Sequence, residues 1–262
     1  MKILDMTPEH EQLYFVCLED WSEEMAEAGN HKARWYEKMK DKGLRVKLVA
    51  DDEGNIGGMI QYIPIEHSFV KGEDMYVILC IWVHGHKEGR GDFRGKGMGK
   101  ALLKAAEDDS RAVGMKGIVA WGVTVPFFMR ASWFKKNEYK KVDRDGITAL
   151  LWKPFSEDAV IPSLILKKKT PGRGRDEVAV DVFMNGWCPA QNIVVERARK
   201  AAATFGDRVN FMVHETSNRE EFDEWGIMDA LFINGKEVNT GPPPSYEKIY
   251  KLMEKQVKKL KK

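Results

Sequence analysis

A chain of 262 residues suffices for one large domain or two small ones, and 43% hydrophobic residues can build a sizeable core. With 42 basic and 40 acidic residues the net charge is +2, too balanced for a general nucleic-acid binder. No apolar run is long enough to span a membrane and Met1 to Glu9 has no signal-peptide pattern. Cys17, Cys80 and Cys188 are odd in number, far apart and without zinc-site spacing. These features point to a cytoplasmic protein with no disulfide framework, no metal, no membrane association and no nucleic-acid partner.

Two units follow in chain order, a domain over 1–156 and a second over 177–262, joined by a linker over 157–176. In the first, residues 8–19 and 22–42 read as helices rich in Glu, Lys and Ala, with Pro8 and Glu9 suited to a first turn. Strands follow at 45–50, 56–65 and 75–83, with Asp51 to Asn55 as a turn. Met98, Leu102, Ala106 and Val113 recur at helical spacing and predict a helix over 98–113. A strand at 117–125, a helix at 126–138 opened by Pro126 and a strand near 147–153 complete an α/β (α+β) order with a mixed central sheet. The linker carries Pro162, the run Lys167-Lys168-Lys169 and Thr170 to Arg175. The second unit reads as a strand at 178–184, a helix at 189–205, a strand at 209–213 and a short helix at 218–225. A hairpin over 230–238 turning at Asn234-Gly235 follows. A last helix has Tyr246, Ile249, Tyr250, Met253, Val257 and Leu260 on one face.

The segment Arg94-Gly95-Lys96-Gly97-Met98-Gly99-Lys100 follows a strand and opens a helix. Glycines let backbone N–H groups approach an anion without Cβ interference, a helix N-terminus presents unsatisfied N–H groups, and Arg94 and Lys96 add positive charge. The spacing fits neither a dinucleotide-binding G-x-G-x-x-G loop nor a P-loop. A tight turn with solvated cations is the alternative. Arg94 to Gly99 resembles the R/Q-x-x-G-x-G/A signature of the GNAT N-acetyltransferases, and the surrounding order of elements over the first three-fifths of the chain is similar to that fold. The resemblance implies that acetyl-CoA lies in a split between strands 75–83 and 117–125, with its diphosphate on Arg94 to Lys100 and its pantetheine arm along the backbone of Trp82 and Val83. It further implies that an amine, free or on a peptide, attacks the thioester directly, without an acetyl-enzyme.

A lysine-like amine, pKa about 10.4, must lose a proton to attack, which costs roughly 4.6 kcal/mol at pH 7. A thiolate with pKa about 8.5 leaves more readily, so a path for the amine proton outweighs an acid for the thiol. His84 and His86, at the end of strand 75–83, are candidate bases; solvated loop residues are the competing reading. Glu73 and Asp74 are weaker candidates, and Cys80 reads as core. Many family members use a helix tyrosine to protonate the thiolate. Aligning Phe134 to Tyr139 with the family's Y-x-x-x-G-F puts Phe134, which has no proton, at that tyrosine; Ser132, Tyr139 or water are the candidate substitutes. Gly85 to Phe93 reads as an insertion. Trp121, Phe127, Phe128, Trp133 and Trp152 line an acceptor pocket or belong to the core.

In the second unit, Gly186-Trp187-Cys188-Pro189-Ala190-Gln191 resembles the W-C-x-x-C segment of thioredoxin-like proteins, with Cys188 at a helix N-terminus where a thiolate is stabilised. Gln191 stands at the second cysteine position, so no dithiol cycle closes within the motif, and Met228-Asp229-Ala230 stands where that fold carries a cis-proline. The pairing of the two units resembles the YoaP-like proteins. Two other readings stay open: a thiol-dependent redox or thiol-binding protein using Cys188, and a non-catalytic CoA-binding module. An oligomer is compatible with the sequence, and the tail Lys255 to Lys262 suits an acidic partner or a solvated helix end.

Overall fold

The computed structural model describes residues 1–125, 128–238 and 242–260. The chain opens with β1 (Lys2–Asp5), a 3₁₀ turn at Pro8–His10, α1 (Glu11–Phe15), α2 (Glu23–Ala26) and α3 (His31–Met39). There follow β2 (Arg45–Ala50), β3 (Ile56–Pro64), β4 (Val70–Lys71), β5 (Met75–Val83), α4 (Met98–Ala112), β6 (Gly117–Val123), α5 (Ala131–Lys136), β7 (Lys140–Asp145), β8 (Thr148–Pro154) and β9 (Ser163–Leu164). The remainder is β10 (Val178–Met184), α6 (Pro189–Ala203), β11 (Val209–Glu215), α7 (Arg219–Trp225), β12 (Ala230–Ile233), β13 (Lys236–Val238) and α8 (Tyr246–Val257).

These elements form two units, one of Met1–Trp21 with Glu37–Ile165, the other of Ser22–Tyr36 with Leu166–Lys262. The first is a seven-stranded mixed sheet in the order β1-β2-β3-β5-β6-β8-β7, in which only the β5–β6 pair is parallel. Helix α4 lays Met98, Leu102, Leu103 and Ala106 on this sheet against Val49, Ile60, Ile78 and Ile118, all buried. Burying a side chain such as Leu102 contributes about 1.5–3 kcal/mol. A polar clamp fixes the far end of α4. The Asp109 carboxylate accepts from Arg45 Nη1 at 2.9 and 3.0 Å and from the Tyr62 hydroxyl at 2.5 Å, tying the helix to β2 and β3.

Several expectations change. The helices at 8–19 and 22–42 break into short pieces, because Cys17 and Leu18 adopt positive φ (52° and 67°) and end α1, while Gly29 (φ 62°) separates α2 from α3. Val113 leaves the core stripe of α4 and is exposed, since it is the residue that terminates the helix. The helix read from 126 begins instead at Ala131, and Pro126 and Phe127 lie outside the described residues. β1 and β7 were not among the strands read from sequence.

The second unit is a four-stranded sheet in the order β11-β10-β12-β13, with β10 parallel to β11 and the other pairs antiparallel. Val194, Val195 and Ala198 of α6 and Ile249, Met253 and Val257 of α8 pack on Val180, Val182 and Leu231. Leu260 falls beyond the end of α8 but still packs on this core. The segment Ser22–Tyr36, read with the first domain, packs here. Arg197 donates to Glu24 and Glu27, His31 pairs with Glu196 at 2.6 Å, and Trp35 is buried with its Cβ beside Gly186. The basic run of the linker is also held: Lys167 pairs with Glu237 at 3.0 Å, Lys168 N donates to Trp225 O at 2.8 Å, and Lys169 pairs with Glu224.

Candidate active site

Strand β5 makes the site by failing to pair along its whole length. On one side it follows β3, but Gln61 faces Cys80 while Tyr62 faces Ile78, so Leu79 is an extra residue in a β-bulge. On the other side it pairs with β6 only over Met75–Ile78 against Gly117–Ala120. Beyond that point the two parallel strands part. The Trp121 indole Nε1 donates to the Leu79 carbonyl at 2.8 Å and takes the place of a ladder bond at the fork. Cys80 to Val83 therefore run along an open split.

The chain then turns through a strapped loop. Gly85 bridges to Asp92, Phe93 N donates to His84 O at 2.9 Å, and the buried Phe93 ring packs where a Cβ on Gly57 would stand, 2.4 Å from its Cγ. So the insertion read at Gly85 to Phe93 is anchored at both ends. Gly95 and Gly97 follow with φ of 75° and 83°, and a Cβ on either would meet no protein atom within 4 Å. Gly97 caps α4, whose first-turn N–H groups have no intrahelical acceptors. Positive φ favours glycine there, and the space beyond both positions is open beside the N-terminus of a helix, where an anion is stabilised.

Beside this loop lies a cavity of about 730 Å³. Val83, Phe93, Met98, Phe128, Trp133 and Phe134 give it apolar walls, and Arg94, Lys100 and Arg130 give it positive charge. Arg130 precedes α5 and was not singled out in the sequence; a cation at a helix start carries no signal by itself. The Arg94 guanidinium is bound by Asp92, with Nε at 2.9 Å and Nη2 at 2.6 Å, and this bond holds the Asp92 carboxyl well below the usual carboxylate range. Arg94 thus enters the site already paired. Lys96 lies over the Phe93 ring at 4.9 Å.

The structure redistributes the proton-transfer candidates. His84 is fully buried, with Nδ1 bonded to Gly91 O at 2.7 Å and Nε2 accepting from the Trp21 indole at 3.0 Å. Both ring nitrogens are engaged, so His84 holds the loop instead of taking a proton. His86 is exposed, its Nε2 3.9 Å from the Glu19 carboxylate. Neither Glu19 nor Trp21 stood out in the sequence, because they lie in the turn after α1, more than sixty residues away. Ser132 is exposed on α5 and Tyr139 is buried against Phe134 at 5.5 Å; neither lines the cavity. Burial, with the Glu107 carboxylate near, pushes the Tyr139 phenol up and keeps its proton. Phe134 is wholly buried and lines the cavity wall. Cys188 is the N-cap residue of α6 in the second unit, and Trp152 packs in the core of the first. Among the described residues no group of acidic, histidine and cysteine side chains could hold a metal ion.

The family model described as "Acetyltransferase (GNAT) family" matches residues 6–136. The uncharacterized N-acetyltransferase YoaP of Bacillus subtilis (strain 168) is 22% identical over 265 residues, covering 97% of this chain and 98% of that protein. Among solved structures, the GNAT N-acetyltransferase YhbS of Escherichia coli in complex with CoA aligns over 62% of this chain and 88% of its own, with a TM-score of 0.43 and 16% identity. The PaiA N-acetyltransferase of Thermoplasma acidophilum in complex with coenzyme A aligns over 59% and 100%, with a TM-score of 0.43 and 19% identity.

Proposed function

The chain belongs to the acetyltransferase (GNAT) family, and on that premise we propose that it moves the acetyl group of acetyl-CoA onto a primary amine by direct attack. The observation that carries this reading is the glycine loop, where Gly95 and Gly97 adopt positive φ and leave open space at the N-terminus of α4, next to the split in the sheet. The amides from Gly95 to Gly99 take the diphosphate, and Lys96, Lys100 and Arg130 supply charge. Arg94, paired with Asp92, lines the same cavity. The backbone of Trp82 and Val83 lies along the pantetheine arm.

The amine arrives as an ammonium ion and must shed a proton first. His86 is the acceptor in this scheme. The Glu19 carboxylate faces its Nε2 at 3.9 Å, beyond a hydrogen bond, and Nδ1 takes the proton in this scheme. The nitrogen then bonds to the acetyl carbon, the C–S bond breaks, and the sulfur leaves with the second proton shed by nitrogen. The apolar wall at Phe134 donates nothing, in keeping with a leaving group that needs no acid. Titration calorimetry of the full chain with acetyl-CoA and CoA tests the reading, followed by amine-dependent release of CoA. A folded chain that binds neither nucleotide would refute it.

For the second unit the reading is a thioredoxin-like fold. Its support is the β-α-β-α-β-β-α order, the parallel β10–β11 pair and Cys188 as the cap of α6. Gln191 excludes a dithiol cycle within the motif. A cytoplasmic location accords with Cys17, Cys80 and Cys188, none of which forms a disulfide among the described residues.

A further inference from the structure

The two larger sheets end in four edge strands, and three of them are blunted. β1 has four residues and carries Lys2 and Asp5, β13 has three and carries Lys236 and Glu237, and β7 is charged at every position but Val142. Short or charged edges discourage pairing with another chain. β11 has neither protection. Its seven residues, Val-Asn-Phe-Met-Val-His-Glu, hold no lysine, arginine or proline and run beside β10 without a register shift. On its other side it meets no strand among the described residues. Met212, at its centre, is 48% exposed. The free side also has a defined polarity. Thr216 N donates to Met184 O on the β10 side at 3.1 Å, and alternate residues of a strand face the same neighbour. Asn210, Met212 and His214 therefore turn their main-chain groups to β10, while Val209, Phe211, Val213 and Glu215 turn theirs outwards. Among the described residues the outward groups of Phe211 and Val213 have no main-chain partner.

From these relationships we propose that β11 pairs antiparallel with β11 of a second copy of this chain, about a two-fold axis at Met212, so that two four-stranded sheets join edge to edge. This register uses the whole strand. It sets the outward groups of Phe211 opposite those of Val213 and the outward groups of Val209 opposite those of Glu215, so donors meet acceptors. Met212 meets its own counterpart at the axis as a non-hydrogen-bonded pair, the kind whose side chains approach more closely. Glu215, the strand's one carboxylate, falls opposite Val209 of the second copy and one position from Arg208, so no like charges face each other. An axis at Phe211 or Val213 also matches donors to acceptors but leaves one end of each strand unpaired. A strand of some other protein supplies the same main-chain groups, whereas β11 carries its own complement in its sequence. The paired edge is a small interface, and the dimer it makes is a weak one in exchange with monomer.

The test is sedimentation velocity of the full chain from micromolar to near-millimolar concentration, where a monomer–dimer equilibrium is expected. Met212→Lys sets two ammonium groups face to face at the axis and should raise the dissociation constant about fivefold or more. Met212→Glu should do the same with two carboxylates. An equimolar mixture of the two variants should dimerise again, because Lys then faces Glu; a variant that had merely lost its fold would not recover in this way. Met212→Cys should form a covalent dimer on mild oxidation, beyond any formed by the parent, since Cα atoms about 4.5 Å apart are within reach of a disulfide. Asn210→Cys, whose counterpart in this register is His214, should not. A chain that stays monomeric at every concentration overturns the proposal and leaves the edge to the strand of another protein. A dimer that Met212→Lys leaves intact, or a mixture of the two charge variants that stays monomeric, overturns it as well.

Discussion

The Trp21 indole donates to His84 Nε2 at 3.0 Å, and the other nitrogen of that ring bonds Gly91 O at 2.7 Å. A histidine read from sequence as a possible base is thus a strut between the turn after α1 and the loop that leads to the glycines. His84→Ala leaves the Trp21 donor and the Gly91 acceptor without partners, so a stability loss of about 1–3 kcal/mol in urea unfolding is expected. Among molecules that remain folded, the acidic limb of the pH–rate profile should stay where it is.

His86→Gln should behave in the opposite way. The ring is exposed and paired only loosely with Glu19, so stability should move by less than about 0.5 kcal/mol. The kcat should fall by about 10²–10⁴-fold, the range for loss of a positioned base, with acetyl-CoA affinity unchanged by calorimetry. Glu19→Gln should give a smaller loss of kcat, again with acetyl-CoA affinity unchanged by calorimetry.

Gly97→Ala separates the backbone's needs from the ligand's. The added Cβ meets no protein atom within 4 Å, so the protein alone registers only the cost of a positive φ, about 1–2 kcal/mol. On the proposed reading the same methyl stands where the diphosphate binds. Calorimetry should show acetyl-CoA affinity falling by about tenfold or more. An unchanged Kd would remove the anion site from the loop.

The second unit carries a pH response of its own. His214 is buried, its Nε2 3.1 Å from Asp181 and its Nδ1 2.8 Å from Glu221, and the bond to Asp181 foremost raises its pKa above the usual value. A raised folded pKa contributes stability that is complete below about pH 6.5 and disappears as pH rises through the folded value. Desolvation pushes the Asp229 carboxyl up to about 7, against the Asn185 amide that it accepts. Its contribution is also complete only below the unfolded value, about pH 3.9, and is lost by about pH 7. Thermal melts should therefore show His214→Gln least stable relative to the parent near pH 5.5, with the gap closing by pH 9. Asp229→Asn should melt higher than the parent at pH 8 and level with it near pH 4.

Much of the frame was readable because periodicity and local geometry speak directly. β5 and β10 begin and end where they were read, and Gly95 and Gly97 take the positive φ that glycine adopts readily. What escaped has a physical reason in each case. β7 is Lys-Lys-Val-Asp-Arg-Asp, an edge strand whose charges hide its period. The Leu79 bulge sits inside Met-Tyr-Val-Ile-Leu-Cys-Ile-Trp-Val, where an unbroken apolar run shows no change of face. The left-handed turn at Cys17 and Leu18 uses residues that no turn rule favours. The pairing of Trp21 with His84 spans sixty-three residues, so no spacing announces it.

The excursion of Ser22–Tyr36 into the second unit makes that unit discontinuous in sequence. A single cut near residue 156 would therefore not release two self-sufficient fragments. The downstream piece would lack the ring of Trp35 and the imidazole of His31, and the upstream piece would display them to water, together with the acidic partners of Arg197. Gene fission or recombination at the apparent linker carries a folding penalty on both sides, and the two halves are bound to be inherited together.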